Sequence, residues 1–181
     1  MDIYKQKFTK LQYEIIRFLF ANVGEKFNQR EIALKINASP TAISNSIKFL
    51  KQEGFVFAEL DKSSKTFEIS LNINNEDVFY MKRVENLREI YLSGLKDFLE
   101  EKFPGKVIVL FGSFSRGEDA FNSDIDIAIL EEKEKEVDIK KFEIFLNKKI
   151  NLQFYGPLNS IHKNLRENIL NGIVISGSFK L

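Results

Sequence analysis

Residues 112–126 read Gly112-Ser113-Phe114-Ser115-Arg116-Gly117-Glu118-Asp119-Ala120-Phe121-Asn122-Ser123-Asp124-Ile125-Asp126, and the second half of the chain is organised around them. The stretch follows a continuous apolar run, Val107–Phe111, of the kind that forms a strand buried on both faces. It leads into Asp124–Leu130, whose alternation reads as a second strand. Gly112 permits close approach of backbone to a ligand, and Ser113 adds a hydroxyl donor. A helix opening at this point presents free N–H groups, which form a cradle for phosphate. Asp124 and Asp126 lie two apart in a strand, so their carboxylates share one side. Two such carboxylates repel each other unless a cation lies between them. Mg²⁺, which binds through carboxylates and substrate phosphates, is the natural occupant. A phosphate cradle beside such a pair is what phosphoryl or nucleotidyl transfer needs.

Outward from this stretch the pattern stays mixed. Asp138–Lys149 has helical spacing, with Ile139, Phe142, Phe145 and Leu146 on one side, and Ile150–Tyr155 reads as a third strand. Pro157–Asn171 reads as a helix stopped by Gly172, and Ile173–Ile175 as a short last strand. The charge-alternating run Glu131–Glu136 reads as a solvated connection. Upstream, a long helix is expected from Asn75 to near Phe103, before Pro104-Gly105. Its apolar stripe would be Val78, Met81, Val84, Leu87, Tyr91, Leu95, Phe98 and Leu99.

The first half has a different rhythm. Phe8–Val23 carries Leu11, Ile15, Phe18 and Leu19 at helical spacing. Asn28 is placed to cap a second helix, with Glu31 as its capping-box partner. Ser39 caps a third helix, Pro40 occupies its first position and Gly54 stops it after Gln52. Phe55–Leu60 and Lys65–Leu71 are strands about the polar turn Asp61-Lys62-Ser63-Ser64. The expected organisation is a helix-rich domain over 1–72, a connecting helix over 73–104 and an α/β (α+β) domain with a small mixed sheet over 105–181.

Composition bounds the functions available. The chain has 181 residues, 27 Lys+Arg, 26 Asp+Glu, one His and no Cys. Without Cys there is no disulfide, no thiolate catalysis and no Cys-based zinc site. The apolar runs fall short of the roughly 20 residues of a membrane span. The N-terminal MDIYKQKFTK has no signal-type apolar core, so a cytoplasmic protein without membrane partners is expected. Residues 1–72 carry 11 basic and 8 acidic side chains, and the remainder 16 and 18. That modest asymmetry agrees with a nucleic-acid-binding first half.

The order helix, helix, turn, helix, hairpin over residues 8–71 resembles the winged helix-turn-helix family. The resemblance implies that Pro40–Gln52 is a recognition helix offering Thr41, Ser44, Asn45, Lys48, Lys51 and Gln52 to DNA. Lys62 and Lys65 of the wing would meet backbone phosphates. The recognition helix carries no Arg, and an interaction or dimerisation module is the competing reading. Phe49, Phe55, Phe57 and Phe67 are expected in the core, and His162, the lone His, in solvent.

Gly112-Ser113 followed by Asp124-x-Asp126 after a strand resembles the nucleotidyltransferase superfamily of the DNA polymerase β type. Arg116-Gly117 and Ser123 are similar to its minimal bacterial and archaeal members, over roughly residues 106–176. The resemblance implies that Gly112, Ser113 and Arg116 bind a nucleoside triphosphate. It implies that Asp124 and Asp126 are catalytic and hold two Mg²⁺ ions. Family members take a third carboxylate from a later strand, where this chain has Asn151, with Gln153 on the same face. An amide cannot act as base, and its loss could cut rate ~10²–10⁴-fold. Glu143 or Asp138 could substitute only if the fold brings them round. Two functions follow as expectations. One is an Mg-dependent nucleotidyltransferase with an unknown acceptor, including an antitoxin that modifies a helical HEPN-type partner. The other is a DNA-binding regulator, as a homodimer, whose degenerate second domain senses nucleotide.

Overall fold

The computed structural model describes residues 8–62 and 65–179. The chain divides into two compact units, Met1–Val78 and Phe79–Leu181.

In the first unit, α1 (Lys10–Ala21) begins at Thr9, whose side chain accepts from Gln12 N at 3.3 Å while Gln12 Oε1 accepts from Thr9 N at 2.8 Å. Asn28 and Glu31 form the same reciprocal cap, at 2.9 and 2.7 Å, where α2 (Gln29–Lys35) starts. Ser39 Oγ accepts from Ala42 N at 3.2 Å and opens α3 (Pro40–Gln52). Each such cap is worth about 1 kcal/mol, because it satisfies backbone donors that the helix leaves unpaired. Gly54, at φ +76°, turns the chain into a hairpin of β2 (Val56–Leu60) and β3 (Phe67–Leu71). The two-residue strand β1 (Phe27–Asn28), too short to show in the sequence, pairs with the other edge of β3. Ile15, Ile16, Leu19, Ile32, Ile43, Ile47, Leu50, Phe55 and Ile69 are buried. Three helices and this hairpin sheet, ordered β1-β3-β2, are the winged helix-turn-helix fold. Ser63 and Ser64 of the hairpin turn lie outside the described residues.

Two Phe side chains expected in the core are exposed. Phe57 alternates with buried Val56 and Ala58 and so faces outward, and Phe67 pairs with exposed Leu60 at the far end of the hairpin.

The single helix expected over 75–103 is two. α4 (Glu76–Leu92) ends at a turn in which Gly94 has φ +74°, and α5 (Leu95–Lys102) starts from it. The left-handed geometry at Gly94 breaks the helical ladder. α4 also buries an unexpected face. Val84 and Tyr91 are exposed, at 68% and 49%, whereas Lys82, Glu85, Asn86 and Ile90 are buried.

The sheet of the second unit has the order β6-β5-β4-β7. β4 (Ile108–Phe111) lies antiparallel to β5 (Ile125–Leu130) and to β7 (Ile173–Ser176), and β6 (Ile150–Tyr155) lies parallel to β5. The sheet is therefore mixed, with β5 and β6 joined through α7 (Lys140–Leu146). Odd-numbered Ile125, Ile127 and Ile129 join Leu95, Leu99, Phe103 and Phe142 in one core. Val109, Phe111, Ala128 and Leu130 face the other way, towards Ile169 of α8 (Lys163–Leu170). The segment expected to be one helix over 157–171 is a 3₁₀ turn, Leu158–Ser160, followed by α8. No helix among the described residues is long and apolar enough to cross a membrane.

Candidate functional site

β4 delivers the chain directly into a five-residue helix, α6 (Gly112–Arg116). Gly112 has φ +75°, and a Cβ built on it would lie 2.7 Å from Asp126 Oδ2. Both the conformation and the space require Gly. Ser113 is half-buried at the start of α6, and Ser115 Oγ donates to Gly112 O at 2.8 Å. Gly117 closes α6 at φ +77° against α4, where a Cβ would lie 2.7 Å from Phe79 O and 2.9 Å from Arg83 N.

Strand parity places the carboxylates. Asp126 shares the face of Ala128 and Leu130, and Asp124 precedes it on the same side. The register sets Asp126 opposite Phe111 on β4 and opposite Asn151 on β6. Asn151 Nδ2 donates to Asp124 Oδ2 at 3.2 Å and to Asp126 Oδ1 at 3.3 Å. Gln153 Nε2 donates to the same Asp126 oxygen at 3.1 Å, and Tyr155 OH donates to Gln153 Oε1. Burial, then the nearby Asp126 carboxylate, raises the pKa of the Tyr155 hydroxyl above its ordinary value. The repulsion between the two carboxylates is thus offset by a row of amide donors from β6.

This donor set fits a divalent ion. Two carboxylates converge on one side of the sheet, and rotating either amide would offer it a neutral oxygen. Among the described residues no three or more His, Asp or Glu side chains gather at one place. A second ion would therefore take its remaining charge from substrate phosphates. Neither substitute carboxylate comes round. Glu143 Oε1 accepts from Ile150 N at 2.9 Å, at the head of β6, and Asp138 Oδ1 accepts from Lys140 N at 3.1 Å, at the start of α7.

The loop between α6 and the carboxylates is anchored by a buried ionic cluster. Asp119 is 1% exposed and Lys82 2%. Lys82 Nζ bonds the Asp119 carboxylate and donates to Asp119 O at 2.9 Å. Asn86 Nδ2 donates to Asp119 Oδ1 at 2.7 Å and to Phe114 O, in α6, at 2.9 Å. Lys148 Nζ lies 3.2 Å from Asp119 Oδ2 and donates to Ala120 O, Phe121 O and Ser123 O. Burial lowers the Lys82 pKa, with the neighbouring Lys148 charge adding to it and Asp119 opposing. None of these residues is among those expected from the sequence to act at the site. The available signal was the polar spacing Lys82, Glu85, Asn86, which has the same helical period as the apolar stripe chosen instead.

The remaining sequence candidates fall in distinct places. The Arg116 guanidinium is paired with Glu118 Oε2 at 2.7 Å and Asn168 Oδ1 at 3.2 Å. Thr41, Ser44, Asn45 and Lys48 share the exposed side of α3, and Lys62 is exposed after β2. Lys51 Nζ donates to Ala58 O at 2.8 Å. His162 is exposed at the start of α8.

No curated protein matches the chain. A MepR variant from a multidrug-resistant S. aureus clinical isolate is 18% identical over 40% of this chain and 53% of its own, with a TM-score of 0.36. MepR, a transcription regulator of the Staphylococcus aureus multidrug efflux pump MepA, is 17% identical over 52% of this chain and 66% of its own, with a TM-score of 0.39. The S. aureus MepR–DNA complex is 17% identical over 52% and 80%, with a TM-score of 0.34. The chain thus spans between half and two thirds of the first two structures. The nucleotidyltransferase domain family matches residues 92–176. That match opens at the last residue of α4 and closes with β7, so the part of the chain that is similar to the nucleotidyltransferase domain family takes in the whole sheet, the turn at Gly112 and both carboxylates.

Proposed function

We propose that the second unit binds a nucleoside triphosphate with Mg²⁺ and transfers its nucleotidyl group to an acceptor hydroxyl, while the winged helix binds DNA. The observation that supports this reading is the close approach of the Gly112 backbone to the carboxylate pair, where a Cβ would lie 2.7 Å from Asp126 Oδ2. Gly112 and Ser113 hold the triphosphate, and Asp124 and Asp126 are the residues that would hold the Mg²⁺ ion beside it. Bound Mg²⁺ supplies the positive charge that the pair and the phosphates require. In the transfer, the acceptor oxygen bonds to the α-phosphorus and the bond to the bridging oxygen of the β-phosphate breaks. Pyrophosphate leaves with that electron pair, and the hydroxyl proton passes to water, since Asn151 is no base. On α3, Thr41, Ser44, Asn45 and Lys48 are exposed together, as a major-groove reader requires.

A second reading, a nucleotide-sensing DNA-binding regulator, is favoured by Asn151, whose amide bonds both carboxylates where a third carboxylate would be catalytic. Both readings place the protein in the cytoplasm, with triphosphate and DNA. The test incubates the chain with each α-labelled nucleoside triphosphate, Mg²⁺ or Mn²⁺ and a lysate of the source cell. An Asp124→Ala/Asp126→Ala variant is the control. Label on a macromolecule that the variant does not transfer supports the transferase. Metal-dependent binding without transfer supports the sensor, and binding unchanged in the variant refutes both. For the winged helix, Lys48→Glu is expected to weaken binding to DNA and lower the salt slope by about one phosphate contact.

A further inference from the structure

The carboxylate pair has a feature on each side. On the β4 side lies the turn at Gly112. On the β6 side, between the loop before β5 and the loop before β6, lies a cavity of about 300 Å³ bordered by Asp124 itself. Its walls include Phe121, Asn122, Asn147, Lys148 and Lys149. A group held at Asp124 therefore stands between the turn at Gly112 and a separate pocket, which is the layout of a two-substrate transfer.

The chemistry of the pocket is specific. Phe121 is 45% exposed and lines the pocket as its aromatic side chain. Asn122 and Asn147 are exposed amides, each able to donate and accept. Lys149 is an exposed cation at the head of β6. Lys148 is spent on the fold: its ammonium is committed to Asp119 and to the carbonyls of Ala120, Phe121 and Ser123. That commitment ties both loops of the pocket together, so the Phe121 wall is held in place before a ligand arrives. The cluster behind it, two ammoniums against one carboxylate, adds a net positive charge. An aromatic platform, amides for a base edge and a cation for phosphate are together the elements that bind single-stranded nucleic acid. The volume is at the lower bound for ligand sites and admits one nucleoside unit.

We propose that this pocket is the acceptor site of the transferase and takes the terminal nucleotide of a single-stranded nucleic acid. The base stacks on Phe121, the adjacent phosphate meets Lys149 and the terminal hydroxyl is directed to Asp124. The proposal rests on the transferase reading above. A serine or tyrosine hydroxyl on a protein, such as the HEPN-type partner the resemblance implies, needs neither the cation nor the stacking face.

The test uses the full chain carrying Lys48→Glu, with unlabelled duplex DNA in excess to occupy the winged helix. Fluorescein-labelled 12-residue single strands of RNA and of DNA are titrated by anisotropy, in parallel with Mg²⁺-dependent binding of a non-hydrolysable ATP analogue. Phe121→Ala and Lys149→Glu are expected to weaken oligonucleotide binding at least about 10-fold when combined, leaving analogue binding unchanged. Lys149→Arg is expected to restore it. A preference for RNA or for DNA strands identifies the source of the terminus. Oligonucleotide binding equal in the parent and the double variant overturns the proposal, as does no oligonucleotide binding with the analogue bound. Failure of the analogue to bind the parent refutes the transferase reading instead, which keeps the two failures apart. Label transferred only to protein in the lysate experiment also overturns the acceptor proposal.

Discussion

Replacing Asp119 by Ala tests the physical core of the second unit. The carboxylate is 1% exposed and faces two ammoniums, Lys82 at 2% and Lys148 at 9% side-chain exposure. Its removal leaves two like charges in one dry site, and an uncompensated buried charge costs about 3–5 kcal/mol. In a unit of roughly 100 residues each kcal/mol is worth about 4–8 °C, so a Tm drop of at least about 12 °C is expected. Lys82→Met behaves differently. It keeps the volume and leaves Asp119 balanced by Lys148 alone, losing only the bonds of Lys82 to Asp119, about 1–3 kcal/mol. The assay is thermal and urea unfolding followed by circular dichroism, with the two variants compared in the transition of the second unit. Asp119→Ala destabilising no more than Lys82→Met would refute the charge argument. The pH dependence gives a second reading of the same cluster. Burial lowers the folded-state pKa of Lys82 below 10.5, so on approach to pH 10.5 the unfolded chain binds more protons than the folded one. Below the folded value both states hold the proton and the burial penalty is fully felt; above it the folded state sheds the proton. Stability of the parent relative to Lys82→Met therefore rises as pH climbs towards 10.5, and a flat difference contradicts the assignment. The raised Tyr155 pKa acts in the opposite direction but is present in both proteins and cancels.

Three further outcomes are expected. Gly112→Ala forces a side chain into a left-handed position, at about 1–2 kcal/mol, and sets a Cβ 2.7 Å from Asp126 Oδ2. Metal-dependent triphosphate affinity should fall at least about 10-fold by calorimetry, with Tm lowered by about 4–16 °C. Asn151→Asp restores a base beside the pair and is expected to raise label transfer about 10²-fold; an unchanged rate would remove the third carboxylate as the limiting group. Asn28→Ala deletes one half of the α2 capping box and should cost about 1 kcal/mol, read as faster amide exchange at Glu31.

Where a structural feature is set by neighbours in sequence, it was legible before any fold was known. The caps at Asn28 and Ser39, the stop at Gly54 and the turn at Gly112 are decided within a few residues. Strand parity likewise put Asp124 and Asp126 on one side and Asn151 with Gln153 on another strand's matching side. Other features depend on what an element meets. Val84 and Lys82 both sit at helical spacing, and the burial of Lys82 follows only from the arrival of Asp119, 37 residues later, against α4. Glu143 looked available as a carboxylate until β6 claimed it for the Ile150 N–H. Gly94 divided a helix that the apolar stripe ran straight through. Residue type and strand period are local, so the groups able to do chemistry were readable along the chain. Which of those groups are free to act followed from the folded arrangement, because hydrogen bonds and charges are satisfied by partners far along the chain.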